Sequence, residues 1–226
     1  MPVVGTPPPR PARTTRPIRQ QLIAGAARAL CLLTAIAGTV ALAPQPAAAQ
    51  SLAACPNVAG TVQDIGLAAV RDAVACGVNA MRAEQRLGPL SPSSALAMAA
   101  QRHGTDMIAR RYFAHVSPGG GTVDKRARRA GYIRNDCWVV GENLGWTVAL
   151  SASADAVVGA WMESPSHRAI ILDPEFRQFG VAVVAGAPDG DPTGATFVLE
   201  AGSTVCAGAA VPSGPRARAR ARVRAG

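Results

Sequence analysis

The first fifty residues must be set aside before any folded element can be assigned. Arg10, Arg13, Arg16 and Arg19 precede an apolar run from Ala29 to Ala43, which is closed by Pro44 and Pro46 and followed by the small residues Ala47-Ala48-Ala49. A basic stretch, an apolar stretch and a small-residue site in this order read as an export leader cleaved after Ala49. The run falls short of the ~20 apolar residues that a membrane-spanning helix needs. Residues 1–49 are therefore expected to be a signal peptide, and the mature chain to be extracellular or periplasmic. An uncleaved N-terminal anchor is the plainer alternative. A third is a lipoprotein anchored at Cys55, because Leu52-Ala53-Ala54-Cys55 would pass as a lipobox, although Pro44 and Pro46 separate it from the apolar run.

Export governs how the cysteines are read. Cys31 leaves with the leader, and the mature chain keeps Cys55, Cys76, Cys137 and Cys206. An even number in an oxidising compartment implies two disulfides, and four cysteines allow three pairings. The sequential pairing, Cys55–Cys76 and Cys137–Cys206, is preferred. It would staple the N-terminal segment to the first helix and tie the C-terminus to the middle of the domain. No two cysteines form a Cys-x-x-Cys pair, which argues against a thiolate zinc site.

The formal net charge of +9 misleads until its location is considered. Five arginines lie in the leader and five in the tail (Arg216, Arg218, Arg220, Arg222 and Arg224), leaving thirteen basic residues against fourteen acidic. A nucleic-acid-binding domain carries its charge on the fold, so no nucleic-acid partner is expected. The Arg-Ala tail, residues 208–226, has no apolar period and reads as disordered. Outside the cell it could be drawn to anionic envelope polymers by salt-sensitive attraction.

Residues 50–64 read as a linker and residues 65–207 as one domain. From Ile65 to Leu87 apolar residues recur at helical spacing, and Gly88-Pro89 ends the run. Ser91 then caps a second helix with Pro92 at its first position, running to Arg111 with His103 on its apolar stripe. Residues 113–121 form a loop, and Thr122 caps a short basic helix that stops at Gly131. Cys137 to Trp146 is strand-like. Ser151 or Ser153 caps a fourth helix that Pro165 closes. Phe179–Ala185 and Ala195–Glu200 flank a turn-rich stretch typical of a hairpin. Aromatics are only 4% of the chain, so Trp138, Trp146 and Trp161 are expected to anchor a core of small residues. Helices first and a hairpin last indicate an α+β fold.

There are three histidines. His103 reads as a structural residue of the second helix. His115 and His167 each sit in a loop marked by Ser-Pro (Ser117-Pro118, Ser164-Pro165), where sites are commonly built. Glu142, between Gly141 and Asn143 in an otherwise apolar strand, is a carboxylate in a costly place. Two histidines and a carboxylate can hold Zn²⁺ with an open position for water, or the carboxylate can orient a histidine acting as a base. They can also simply hydrogen-bond to one another and fix the loops. No nucleophile elbow is present.

Taken in order, several segments resemble the bacterial branch of the CAP superfamily (cysteine-rich secretory protein, antigen 5, pathogenesis-related 1), that is, the SCP-like extracellular domain. They are Asn79-Ala80-Met81-Arg82 with Leu87-Gly88-Pro89-Leu90, Ala100-Gln101-Arg102-His103, Tyr112-Phe113-Ala114-His115-Val116-Ser117-Pro118, Arg129-Ala130-Gly131-Tyr132, Gly141-Glu142-Asn143-Leu144, Trp161 to Arg168, and Phe179-Gly180-Val181. The resemblance implies a three-layer α-β-α sandwich with a small antiparallel sheet. It also implies a cleft lined by His115, His167 and Glu142, a candidate divalent-metal site. The family's second cleft glutamate falls where this chain has Ser164, with Glu163 one position short, so Glu163, Ser164 and Asn143 are secondary candidates. Ile170 replaces a common Asn, and Ala201-Gly202 replaces a common Phe-Gly.

The incomplete carboxylate set favours a monomeric, non-enzymatic module binding a lipid, a peptide or a cell-envelope component, with Zn the one cofactor that the cleft suggests. A metal-assisted extracellular hydrolase using the same residues is the rival, and a structural envelope scaffold is the third reading.

Overall fold

The structure, a computed structural model, describes residues 51–148, 152–204 and 221–225. The leader, Cys206 and residues 205–220 lie outside the described residues. The helices that build the domain are α1 (Val62–Glu84), α2 (Ser94–Ala109), α3 (Val123–Arg129), α4 (Ala154–Glu163) and α5 (Pro165–Ile171). Five strands are β1 (Ser91–Pro92), β2 (Trp138–Thr147), β3 (Gln178–Ala185), β4 (Ala195–Ser203) and β5 (Ala221–Ala225), in the sheet order β1-β3-β4-β2-β5. The central three strands pair antiparallel, and the short β1 and β5 add to the edges in parallel. Among the described residues no helix is long and apolar enough to cross a membrane.

Period-two alternation sorts the sheet residues onto two faces. Val139, Phe179, Val181, Val183, Phe197, Leu199 and Ala201 share one apolar cluster with Val70, Val74 and Val78 of α1, Trp161 of α4 and Ile170 and Ile171 of α5. The residues between them meet the other layer: Val140 packs with Leu96 of α2 and Val123 and Ala127 of α3, and Leu144, Ala182 and Val198 pack with Ala100 and Met107 of α2. The result is the α-β-α sandwich that the family resemblance implied. Glu142 and Glu200 face the α2–α3 layer, directly opposite each other across β2 and β4.

Several local expectations change. A short helical turn from Val62, opened by a reciprocal capping box of Thr61 and Asp64, precedes the main part of α1 and is separated from it by a kink at Gly66 (φ 80°). The supposed linker joins the fold, with Asp155 donating from its backbone to Val58 and Thr61 bridging Ser153. Ser91-Pro92 is a strand rather than a cap, since Ser91 N donates to Arg177 O across the sheet edge, and Ser93 caps α2 instead. Pro165 does not merely close α4; it occupies the first turn of α5, so His167 is helical rather than in a loop. Trp146 is 39% exposed at the end of β2, beyond helical cover, while Trp138 and Trp161 are buried. Part of the tail is ordered as β5, because pairing alongside β2 uses backbone groups and needs no apolar period.

Cys55 and Cys76 are bonded, as preferred from sequence, across a separation of 21 residues. A loop of that size contributes about 3 kcal/mol by restricting the unfolded chain. Cys137 is also disulfide-bonded, and its expected partner Cys206 lies outside the described residues.

Candidate functional site

The α2–α3 loop carries His115. Its tip is closed by Ser117 N to Gly121 O (3.0 Å) and Gly120 N to Ser117 O (2.7 Å), with Gly120 at φ 74°. That positive φ is why glycine is suited there. The loop is anchored from below by Arg126 of α3, whose Nη1 donates to His115 O (3.1 Å) and Gly121 O (2.8 Å). The other arms of the same guanidinium reach Glu142 Oε2 at 2.5 Å and Glu200 Oε1 at 3.4 Å. Glu142 Oε1 lies 2.8 Å from His115 Nδ1. Charge-assisted contacts of this kind are the stronger class of hydrogen bond.

Arg126, Glu142 and Glu200 are all buried. One arginine thus serves two carboxylates, and the pair cannot both be charged without cost. Burial, reinforced by the charge of Glu142 and opposed by Arg126, holds Glu200 well above the ordinary carboxylate value. Its Oε2 has no hydrogen-bond partner among the described residues, which fits a protonated acid.

A group whose folded-state pKa is raised stabilises the fold below its unfolded value, and that contribution is lost as pH rises through the folded value. Glu200→Gln is therefore expected to be near neutral at pH 4 and increasingly stabilising from about 4.5 upward. Urea unfolding at several pH values checks this; an unchanged gap between pH 5 and 8 counts against it.

His103 borders the same cluster from α2. Its Nε2 is 3.0 Å from Ala114 O and 3.8 Å from Glu142 Oε2. A carbonyl only accepts, so Nε2 carries the proton and donates. Tyr112 completes this corner, its hydroxyl donating to Asp106 Oδ2 at 2.5 Å. Burial first, and Arg126 further down, lower the His103 pKa against the pull of Glu142. The histidine is structural, as read from sequence, but it is packed against the site carboxylate.

His167 reaches the site from α5. Asn143 Nδ2 donates to its carbonyl at 2.9 Å, tying the helix to β2. Burial first, and then the charge of His115, lower the His167 pKa, so the two imidazoles are within electrostatic reach. His167 Nδ1 is buried without a hydrogen-bond partner among the described residues.

The structure thus joins Glu142 to His115, places His167 within electrostatic reach of His115, and gives Asn143 a bracing role. Glu163 is exposed at the end of α4, and the Ser164 hydroxyl lies 3.4 Å from that of Ser166. Neither has a recorded contact with the three cleft residues.

Sequence reasoning missed Arg126 and Glu200. Glu200 ended the expected strand Ala195–Glu200, whereas β4 runs on to Ser203 and places it inside an apolar strand as Glu142 is. Arg126 shares the inward side of α3 with Val123 and Ala127.

The set named for zinc does not fit a three-ligand metal site. Both Glu142 oxygens already face donors, and among the described residues no group of three or more His, Cys, Asp or Glu is arranged to hold a metal ion. A pair of imidazoles with an orienting carboxylate behind one of them is what remains.

Comparison with known proteins agrees with this architecture. The profile of the cysteine-rich secretory protein family, CAP, matches residues 77–200. Two Bacillus subtilis (strain 168) proteins are similar: "Uncharacterized protein YkwD", 34% identical over 106 residues, and "Uncharacterized membrane protein YlbC", 30% identical over 105. Those matches cover 47% and 46% of this chain but only 39% and 29% of the relatives. The crystal structure of an extracellular protein containing an SCP domain from Bacillus anthracis str. Ames shares the fold, with TM-score 0.51 and 23% identity over 62% of this chain and 42% of that one. With the profile spanning more than half of its length, and the sandwich and histidine–glutamate cluster in place, the chain belongs to the CAP family of cysteine-rich secretory proteins.

Proposed function

We propose that the chain is a secreted, non-enzymatic binding module that recognises a lipid, a peptide or another envelope component at the His115–His167 pair. The carrying observation is the state of Glu142: buried, with one oxygen on His115 and the other on Arg126. A general base must reach the proton it abstracts, and this carboxylate is instead spent on orienting a ring. Secretion is supported by the leader-like sequence, by the Cys55–Cys76 bridge, which suits an oxidising compartment, and by the extracellular description of the Bacillus anthracis relative.

Co-sedimentation with isolated bacterial envelopes, in salt high enough to screen the arginine tail, tests the reading. The wild type is expected to sediment, and a His115→Ala/His167→Ala variant to lose most of that binding, by tenfold or more. Turnover of a peptide or ester library that vanishes in Glu142→Gln would sink the reading in favour of a hydrolase.

A further inference from the structure

A cavity of about 340 Å³ lies where α1 ends and the chain turns toward β1, and it shares no residue with the His115–Glu142–His167 site. Three of its walls are Arg82, Arg86 and Arg177, with Gly88 and Phe176 between them, and no carboxylate lines it. Arg82 is buried, with Nε donating to Gly88 O (2.9 Å) and Nη1 to Ile171 O (2.8 Å) and Asp173 O (2.9 Å). Among the described residues its Nη2 has no recorded hydrogen bond. Arg177 is held at the opposite wall by Nη1 donating to Pro174 O and Phe176 O. Among the described residues the hydrogen bonds of both guanidiniums go to neutral carbonyls and neither makes an ion pair. The nearby Asp173 carboxylate faces the Glu175 amide at 2.8 Å.

Arg86 supplies the third cation. It follows the α1 cap with φ 57°, and its amide and that of Leu87 close back onto Ala83 O and Arg82 O. This is the left-handed position where helices favour glycine. Arg111 takes the same backbone after α2 (φ 54°), but the Arg86 side chain lines the cavity. The Arg82 pKa is lowered first by burial and then by Arg177.

We propose that this cavity is an oxyanion site for a phosphate group, either free inorganic phosphate or the phosphate of a lipid headgroup. Guanidinium forks match phosphate oxygens in geometry and charge. Arg86 and Arg177 would clasp the anion from the solvent side, with Arg82 fixed beneath it.

The test uses the full chain with inorganic phosphate, followed by melting temperature and calorimetry, against sodium chloride at equal ionic strength. Phosphate is expected to raise the melting temperature more than chloride does. Arg86→Gly relieves the backbone penalty, so it should fold at least as stably as the wild type. It should nevertheless bind phosphate at least fivefold more weakly, as should Arg177→Gln. Equal shifts from phosphate and chloride, or unchanged phosphate affinity in both variants, would overturn the site. Phosphatidylglycerol vesicles, with phosphatidylcholine as control, separate the sources. Vesicle binding that Arg86→Gly reduces supports a headgroup, and phosphate binding without vesicle binding supports the free anion.

Discussion

Gly180→Ala is expected to abolish folding. A β-carbon at this position would sit 2.0 Å from Ala97 N, 2.3 Å from Leu96 C and 2.5 Å from Ala97 Cα. All three are main-chain atoms of α2, so no rotamer change relieves the overlap. The helix cannot slide away locally, because Ser93 N donates to Phe179 O at 2.8 Å and Ala97 N to Ser93 O at 2.9 Å, binding its first turn to the adjoining strand. Lifting α2 would open the layer in which Leu96, Ala100 and Met107 are buried.

Gly180 is not among the glycines with positive φ, so the penalty is steric contact rather than conformational preference. A loss of at least about 4 kcal/mol is expected, in the rare upper range for single substitutions. Gly159→Ala is the control: nothing lies within 4 Å of its added carbon, and it sits inside α4. Alanine there should be neutral or stabilising by up to ~1 kcal/mol. Soluble yield and urea unfolding separate the two, and a Gly180→Ala protein melting close to wild type would contradict the close approach.

Arg126→Met is expected to cost about 3–5 kcal/mol at neutral pH, the usual penalty for stranding a buried charge. The substitution removes the only cation bridging Glu142 and Glu200 among the described contacts, and also releases the carbonyls of His115 and Gly121. Glu200, already raised by burial and by Glu142, loses the one influence that lowers it. The sign follows: the variant should recover stability as pH falls toward the ordinary carboxylate value, where protonation removes the repulsion. Adding Glu200→Gln should rescue part of the loss at pH 7, and a double-mutant cycle measures that coupling. Simple additivity would show that the two side chains do not share a charge.

Acidification acts oppositely on His103 and His167. Both are held below the ordinary imidazole value, by burial first. Their contribution is present above about 6.5 and is lost as pH falls through the lowered values.

What could be read from the chain follows the range of the forces involved. The Val70–Val74–Val78 stripe announces itself through helical periodicity, and the Ala195–Glu200 run through its apolar stretch beside a turn-rich segment. His115 and Glu142 were legible because a loop histidine and a carboxylate among apolar residues each break a local rule. Ser91-Pro92 was misread because its fate depends on Arg177, a partner far along the chain. Pro165 was misread because the same residue that ends one helix can begin another. Arg126 looked like one basic residue of a solvated helix, and only the sheet beneath α3 turns it inward. Glu200 was hidden at the edge of the assigned strand, where it passed for a terminus rather than the midpoint of a pairing.

The wiring of the cluster also fixes when it can exist. Arg126 reaches Glu200 across 74 positions, and Glu142 meets Glu200 only once β4 has zipped onto β2. No short segment of the chain contains the assembly, so it gains nothing from early local structure and must wait for closure of long loops. A nascent chain ending before Ala195 holds both histidines and Glu142 yet has no architecture to align them. The cluster therefore forms late and all at once, with the arrival of one of the last strands.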